Sequence, residues 1–158
     1  MPPDAHSQDP RRTEFAERLG GSLTQMGFPR MPARVFATLL AAPEDSLTAK
    51  ELAGRLGVSA AAISGAVRYL GQFRMVERTR VPGDRVDRFG VGVNFWEHAI
   101  RAEAAAFRPL VEMFDEALGE IDFGAAKQRI EETREFLAFY EAEVPRLLAR
   151  WRETRERG

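Results

Sequence analysis

The chain has 158 residues and a formal net charge of −1, which is typical of one globular domain with a sizeable core. It contains no cysteine and two histidines, so the composition excludes disulfides and thiolate metal sites and argues against any other metal site or bound cofactor. No run of about 18 apolar residues occurs, and the sequence therefore predicts no membrane span.

The N-terminal part of the chain predicts a tail followed by two helices. Residues 1–9 are polar and proline-rich and lack the apolar core of a signal peptide, so we expect a disordered tail there. Asp9 and Pro10 favour a helix start, and we assign an N-terminal helix to residues 10–30. The apolar residues at helical spacing in it are Phe15, Leu19, Leu23 and Met26. A second helix is predicted to begin near Pro32.

Residues 48–73 predict two short helices joined by a tight turn. Thr48 caps the first helix, and Glu51 completes a capping box three residues later. Gly57 stands where the first helix must end, and Ser59 caps the second. The predicted inner face of the second helix is Ile63, Ala66, Val67 and Leu70. This is the helix-turn-helix pattern, although a plain helical hairpin has similar spacing.

A hairpin is predicted immediately after these two helices. Residues 74–80 and 86–93 alternate in polarity, and the segment between them contains Pro82 and Gly83, which favour a turn. Helix, turn, helix and hairpin in this order predict a winged helix over residues 31–93. The fold class is therefore mainly α, a winged helix-turn-helix with long N- and C-terminal dimerisation helices.

Basic residues are concentrated in the predicted winged helix. Residues 55–93 carry seven basic side chains, all arginine, and three acidic ones. Residues 1–54 carry six basic and seven acidic side chains, and residues 94–158 carry ten and fourteen. The positive excess lies where a nucleic-acid backbone would bind, and arginine is suited to bidentate phosphate and groove contacts.

The outer face of the second helix of the motif is predicted to carry mostly small side chains. Its members are Ala61, Ser64, Gly65, Arg68 and Gln72. Small residues let a helix approach the major groove closely but offer few hydrogen bonds to bases. Arg68 is the long side chain on that face, and its alternative interpretation is a solvated surface arginine.

Residues 94–158 are predicted to form a helical dimerisation region. Asn94 caps a helix that runs to about Leu118 with a kink at Pro109, and a second long helix starts near Asp122. Two interleaved heptad series in the second helix indicate a coiled-coil-like seam. The predicted dimerisation residues are Phe15, Leu19, Ile130, Leu137, Tyr140, Val144, Leu147 and Trp151. A helix packed within its own domain is the alternative.

Aromatic residues are in surplus at the predicted junction between the winged helix and the long helices. They predict a pocket for a small apolar or cationic ligand, with ordinary core packing as the alternative. The candidate lining residues are Phe95, Trp96, Phe107, Phe136 and Phe139.

The span from about Phe15 to Trp151 resembles the MarR-type transcriptional regulators, and within them the GbsR-like branch. The resemblance is carried by GFPRMPARVFATLLAAPEDSLTAKELAGRLGVSAAAISGAVRYLGQFRMVERTRVPGDR, above all by the G-x-P-R-x-x-A-R entry, the LTAKELAGRLGVS turn and the G-D-R wing tip. It implies a homodimer on a partly palindromic operator, usually as a repressor. It also implies a recognition helix in the major groove, a wing arginine in the minor groove and, in some members, a small-molecule effector.

The predicted function is that of a dimeric, sequence-specific DNA-binding transcriptional regulator, cytoplasmic and nucleoid-associated when bound. The predicted DNA contacts are Thr48, Lys50, Ser59, Ala61, Ser64, Gly65, Arg68, Gln72, Arg80, Asp84, Arg85 and Arg88. Asp84 is expected to orient Arg85 or Arg88 because phosphates repel a carboxylate. The alternative is a winged-helix interaction module without DNA, but three wing arginines favour DNA. No nucleophile–base pair, phosphate loop or metal cluster suggests an enzyme.

Overall fold

The computed structural model describes residues 9–80, 83 and 85–157, which divide into two compact units. The first unit is Met1–Phe95 and the second is Trp96–Gly158. The predicted tail, except for Asp9, lies outside the described residues. Each unit is built around its own buried side chains, and each is described separately below.

The first unit contains four helices and three strands in the described part of the chain. They are α1 (Pro10–Gln25), α2 (Arg30–Ala41), β1 (Leu47–Thr48), α3 (Ala49–Leu56), α4 (Ala60–Gln72), β2 (Val76–Arg80) and β3 (Asp87–Val91). This order of elements confirms the predicted winged helix-turn-helix. Two helix ends differ from the prediction: α1 ends at Gln25 rather than at residue 30, and α2 begins at Arg30, two residues before the predicted start.

Helix α2 supplies the centre of the first unit. Six of its twelve residues are buried: Pro32, Ala33, Val35, Phe36, Ala37 and Leu39. Helix α1 crosses it closely at Gly20, where an added Cβ would lie 3.4 Å from the Cα of Arg34. The Phe36 ring meets the Phe95 ring edge-on at 5.1 Å between centroids. Burying a side chain as large as Phe36 contributes about 1.5–3 kcal/mol.

The ends of α3 and α4 confirm the predicted helix-turn-helix. The Glu51 amide donates to Thr48 Oγ1 at 3.2 Å, and the Thr48 amide donates to Glu51 Oε2 at 2.6 Å, which together form the capping box. Gly57 has φ 64° and ψ 38°, the left-handed conformation that ends α3 without a Cβ clash. The Ala62 amide donates to Ser59 Oγ at the start of α4.

The three strands form an antiparallel sheet in the order β1-β3-β2. Val76 of β2 lies opposite Val91 of β3, and Arg80 lies opposite Asp87. Both hairpin strands are shorter than predicted. The chain after α4 turns at Arg74, which has φ 53°, so regular pairing begins only at Val76.

The second unit contains α5 (Phe95–Ala105, whose first residue belongs to the first unit), α6 (Arg108–Glu120), a short 3-10 turn (Gly124–Ala126) and α7 (Lys127–Glu156). The helix predicted to run to about Leu118 with a kink at Pro109 is interrupted near that proline, and it forms two helices because the first one ends at Ala105. Pro109 has no amide hydrogen to donate to the Ala105 carbonyl, and its ring clashes with that carbonyl in a continuous helix. Pro109 instead lies in the first turn of α6, where prolines are tolerated.

Helix α7 also differs from its predicted course. Its start is at Lys127 rather than near Asp122, because the Asp122 carboxylate accepts from the Gly124 amide at 2.9 Å and forms a local turn. The helix continues through Pro145. An internal proline costs about 3 kcal/mol, and burial of the flanking Val144 and Leu148 offsets it at about 1.5–3 kcal/mol each.

The core of the second unit is small. Ala104 of α5 packs with Val144 and Leu148 of α7, and Ile100 and Tyr140 pack against this cluster. Three ion pairs tie α7 to the other helices: Arg108 to Glu141 at 2.6 Å, Arg134 to Asp115 at 2.8 Å and Arg152 to Glu97 at 2.9 Å. None of the helices in residues 9–80, 83 and 85–157 is long and apolar enough to cross a lipid bilayer.

We predict that Gly92→Ala destabilises the first unit by about 1–3 kcal/mol. Gly92 is buried, its amide donates to the Met75 carbonyl at 3.0 Å, and an added Cβ would collide with the Arg74 carbonyl oxygen. Gly21→Ala is the matched control. Gly21 is an exposed residue of α1 with open space around it, so alanine there should gain about 0.5–1 kcal/mol. Urea unfolding of both variants measures the difference, and equal stabilities would contradict the proposed close packing.

Candidate nucleic-acid interface

Helix α4 has one buried and one exposed face. Ile63, Ala66 and Leu70 are buried, and they hold α4 against the rest of the first unit. The predicted outer residues Ala61, Ser64, Arg68 and Gln72 are exposed, and Gly65 is half-buried. The structure therefore brings all five predicted outer residues to one surface. Most side chains on that surface are short, so the helix backbone can approach another molecule closely.

Arg68 is the long cationic side chain on this surface. Within the described residues its guanidinium makes no hydrogen bond and no ion pair, and it is exposed. Its position one turn after Ser64 places it in the middle of the exposed face of α4. A free guanidinium offers five N–H donors, which match the paired acceptors of a guanine edge or of a phosphate.

The first turns of α3 and α4 both belong to the helix-turn-helix motif. The hydroxyls of Thr48 and Ser59 accept the capping bonds of the two helices, so their oxygens are already engaged. Lys50 is exposed in the first turn of α3. A helix N-terminus carries partial positive charge, and Lys50 adds a full charge there. This combination suits the neighbourhood of a phosphate.

Asp87 at the start of β3 binds two arginines of β2. Its carboxylate accepts from Arg80 at 2.9 and 3.1 Å and also pairs with Arg78. The strand register explains the arrangement: Arg80 lies directly opposite Asp87, and Arg78 lies two residues away on the same face. These pairings keep the pKa of the Asp87 carboxyl below its ordinary value, and the hydrogen bond from Arg78 has a larger effect than that from Arg80. Both arginine side chains remain more than half exposed, at 62% and 61%.

Arg88 has a structural role that the sequence did not predict. It lies opposite Thr48 of β1, on the other face of the sheet from Asp87. Its guanidinium donates to the Ser46 hydroxyl at 3.0 Å and to the Ser46 carbonyl at 2.8 Å, and it lies 3.7 Å from the Glu51 carboxylate. These bonds connect β3 to the start of α3, so Arg88 is committed to holding the wing on the motif.

The tip of the wing is described only in part. Gly83 has φ 89°, as the predicted turn requires, and Arg85 is exposed. Asp84, which was expected to orient an arginine, lies outside the described residues. Within the described residues, the carboxylate that orients wing arginines is that of Asp87, three residues later.

Two exposed arginines near the interface were missed in the sequence. Arg78 shares the Arg80 face of β2, and the period-2 alternation of the strand was a sufficient signal for it. Arg74 is exposed between α4 and β2, with φ 53° and no ion pair within the described residues. No local pattern signalled Arg74, because its position depends on a left-handed turn that favours glycine or asparagine.

The residues predicted for dimerisation are divided by burial. Val144 is buried within the second unit, and Ile130, Leu137 and Tyr140 are half-buried. Leu147 and Trp151 are exposed, as is Phe15 of α1, whereas Leu19 is half-buried. The heptad of Ile130, Leu137 and Val144 thus follows the inward edge of α7, and Val144 is unavailable to a partner.

The residues predicted to line a ligand pocket belong to both units, and each is described within its own unit. Phe95 meets Phe36 edge-on in the first unit. Phe107 meets Tyr140 edge-on in the second unit, at 5.6 Å between ring centroids. Phe136 and Phe139 are exposed on α7, and Trp96 is exposed in the first turn of α5. Within the described residues no group of histidine, cysteine, aspartate and glutamate side chains is placed to hold a metal ion.

Comparison with known proteins identifies the family. Residues 26–85 match the MarR family model, and residues 94–155 match a model described as MmpR5-like MarR family transcriptional regulator. The HTH-type transcriptional regulator MmpR5 of Mycobacterium tuberculosis (strain ATCC 25618 / H37Rv) is 30% identical over 151 residues, which cover 94% of this chain and 91% of MmpR5.

A solved structure agrees with this assignment. The crystal structure of a transcriptional regulator superposes with a TM-score of 0.79 at 30% identity, and the match covers 90% of this chain and 99% of that one. The matching models do not name the GbsR-like branch, so that finer assignment stays a prediction. Fold, exposed α4 surface and relatives agree: the chain belongs to the MarR family of transcriptional regulators and is a DNA-binding regulator.

Proposed function

We propose that the protein is a homodimeric repressor that binds a pseudo-palindromic operator and acts on the chromosome in the cytoplasm, in the GbsR-like manner that the sequence suggests. The observation that carries this proposal is the exposed face of α4, where small side chains surround Arg68, which has no ion pair within the described residues. This face is suited to close contact with a major groove and to few base-specific contacts. Sequence preference would then be concentrated at few positions.

Arg68 is the base-reading residue of this proposal. A guanidinium at the major-groove edge of a guanine donates to O6 and N7 together. Such a bidentate pair discriminates against the wrong base by about 1–3 kcal/mol. Ala61, Ser64 and Gly65 let the backbone of α4 lie deep enough for that contact. Lys50, Thr48 and Ser59 then lie near the phosphates that flank the groove.

The wing supplies the second part of the interface. Arg85 at its tip is exposed and would enter the minor groove, where it reads groove width and potential more than base identity. Narrow A·T-rich flanks should therefore bind best. Arg78 and Arg80 lie on one face of β2, and they would contact the adjacent phosphate backbone.

Dimerisation is supported by an apolar stripe on α7. Phe136, Phe139, Leu147 and Trp151 have exposed fractions of 65, 62, 51 and 53%, and they recur at helical spacing. A contiguous exposed stripe of this kind is typical of a protein interface. A two-fold axis through it would pair the stripe with its own copy and present two α4 helices to successive major grooves, about 34–36 Å apart.

We further propose that a small molecule modulates DNA binding. A ligand changes DNA affinity only by its differential binding to the DNA-competent and DNA-incompetent states. Among the aromatic residues first considered as contacts, Phe136 and Phe139 belong to the α7 stripe. A cavity in the first unit offers different contacts and is analysed in the next subsection.

The roles of Arg68 and Arg85 predict different DNA-binding defects. Arg85→Ala should weaken binding by about 1–3 kcal/mol and flatten the preference for A·T flanks. Arg68→Ala should relax discrimination within the core of the half-site. Arg101→Ala, an exposed arginine of α5, is the matched control and should bind as the parent does. Titrations on operators with altered flanks or altered cores measure both effects. If all variants bind all operators equally, the interaction-module alternative gains.

The pairing of Asp87 with Arg78 and Arg80 predicts that Asp87→Asn strengthens non-specific DNA binding. The substitution removes a negative charge near the DNA phosphate backbone, and it frees Arg78 and Arg80 to bind DNA phosphates. The slope of log K against log salt concentration should become steeper by about one. Asp115→Asn is the control, since it removes the same charge from the Asp115–Arg134 pair of the second unit. Weaker binding by Asp87→Asn would show that positioning of the arginines outweighs repulsion by the carboxylate.

The α7 stripe predicts that Leu147→Glu converts the protein to a monomer. Leu147 is exposed within the stripe, so the glutamate is tolerated by the isolated chain but is placed without a partner in the proposed interface. Ala149 is exposed on the opposite side of α7, so the control variant Ala149→Glu should leave the dimer intact. Sedimentation at micromolar concentration measures the change. A monomeric parent protein, with or without DNA, would rule out the proposed dimer.

A further inference from the structure

Residues of α1, α2 and α3 line a cavity of about 270 Å³ in the first unit, which is partly open to solvent. It is lined by residues of α1 near Arg12, residues of α2 from Arg34 onward and the end of α3 at Leu56. None of the residues assigned above to DNA contact or dimerisation lines it. The cavity therefore needs its own explanation.

Three arginines face this cavity, and one of them is neutralised. Arg55 donates to both carboxylate oxygens of Glu44, at 2.7 and 3.3 Å. This bidentate pair keeps the pKa of the Glu44 carboxyl below its ordinary value, so Glu44 is ionised near neutral pH and Arg55 has its counter-charge. The remaining charge of the cavity comes from Arg12, Arg34 and Glu17.

Arg34 is half-buried, and it has no acidic partner in the part of the chain that the structure describes. Its Nη2 donates to the Leu56 carbonyl at 3.2 Å, and within the described residues no carboxylate lies within 4 Å of it. The stem of Arg34 is fixed because it lies against Gly20 at the closest approach of α1 and α2. Half-buried arginines are usually paired, so this fixed guanidinium offers unused donors to an anion.

Arg12 adds a second unpaired guanidinium from the first turns of α1. It is exposed, lines the same cavity and makes no ion pair within the described residues. Glu17 is the acidic residue among the lining side chains, and it is not paired with either arginine. The cavity thus has two arginine donors for one unpaired carboxylate. The rest of its wall includes Ala16, Ala41 and Pro43, which are apolar.

We propose that this cavity binds a small organic anion. The Arg12 and Arg34 guanidinium groups hold its carboxylate or phosphate, and its apolar part packs on the alanine and proline wall. A volume of about 270 Å³ lies at or below the small end of ligand pockets, which restricts the ligand to a compact metabolite. Binding itself is independent of DNA. The use of the anion as an effector rests on the function proposed above.

The position of the site connects it to the DNA-binding motif. Leu56, whose carbonyl accepts from Arg34, is the last residue of α3 and directly precedes the Gly57 turn into α4. An anion that recruits Arg34 competes with this bond. The ligand would thus act on the junction of α3 and α4 from the side of α1 and α2.

Calorimetry of the full chain without DNA, in buffer free of phosphate and carboxylate, tests the site. The probes are benzoate, phenyl phosphate and inorganic phosphate, with benzamide as the neutral counterpart of benzoate. We expect one organic anion bound per chain and at least tenfold weaker binding of benzamide. Stronger binding of benzoate or of phenyl phosphate identifies the charged group. Binding of benzamide as tight as that of benzoate, or of inorganic phosphate as tight as that of phenyl phosphate, overturns the proposal.

Variants locate the bound anion. Arg12→Gln should weaken binding at least tenfold. Because the exposed Arg12 side chain makes no hydrogen bond or ion pair within the described chain, its replacement should not affect folding. Arg34→Lys should also weaken binding, since lysine retains charge but loses the planar pair of donors. Arg30→Gln, an exposed arginine outside the cavity, is the control and should bind as the parent does. Unchanged affinity in the Arg12 and Arg34 variants, or no binding of any probe, overturns the site and leaves the DNA-binding proposal intact.

Discussion

The first unit depends on the burial of α2. A helix that is apolar on most of its circumference must be covered on most sides, and α2 is covered by α1, α4 and β3. The face that α4 turns inward is therefore set by α2. Gly65 and Gly71 each cost α4 about 1 kcal/mol relative to alanine, whereas burial of Ile63 and Leu70 contributes about 1.5–3 kcal/mol each. The free energy gained by burying Ile63 and Leu70 exceeds the helix-propensity cost of the two glycines. The outer face of α4 can therefore carry small residues that suit contact with DNA.

Charge in the winged helix is less available than its composition suggests. Of the seven arginines in residues 55–93, Arg55 pairs with Glu44 and Arg88 holds Ser46, while Arg78 and Arg80 share Asp87. Exposed ion pairs contribute only about 0–1 kcal/mol to stability, so the Asp87 pairs can be exchanged for phosphate contacts at little cost. The half-buried bonds of Arg88 to a hydroxyl and a carbonyl are harder to replace. Exposure thus separates the arginines that can reach DNA from those that maintain the fold.

Sequence reasoning succeeded where the chemistry is local. The capping box of Thr48 and Glu51, the left-handed Gly57 and the cap at Ser59 each follow from residues a few positions apart. It failed where distant residues decide. Strand β1 exists because Leu47 and Thr48 meet β3 some forty residues later, and Arg88 is withdrawn from the surface by the same pairing. Likewise, the sequence indicated the arginine-rich wing but not the carboxylate that organises it.

Helix α7 shows a further limit, because it is apolar on two adjacent faces. Periodicity reveals both faces but does not say which one the chain itself covers. The structure assigns Val144 and Leu148 to the core of the second unit, and it leaves Phe136, Phe139, Leu147 and Trp151 exposed. The exposed face lies in a region with fourteen acidic and ten basic residues, which repels phosphate. Apolar exposure combined with an unfavourable charge for DNA supports the proposal of a protein partner on α7 and of nucleic-acid contact in the first unit.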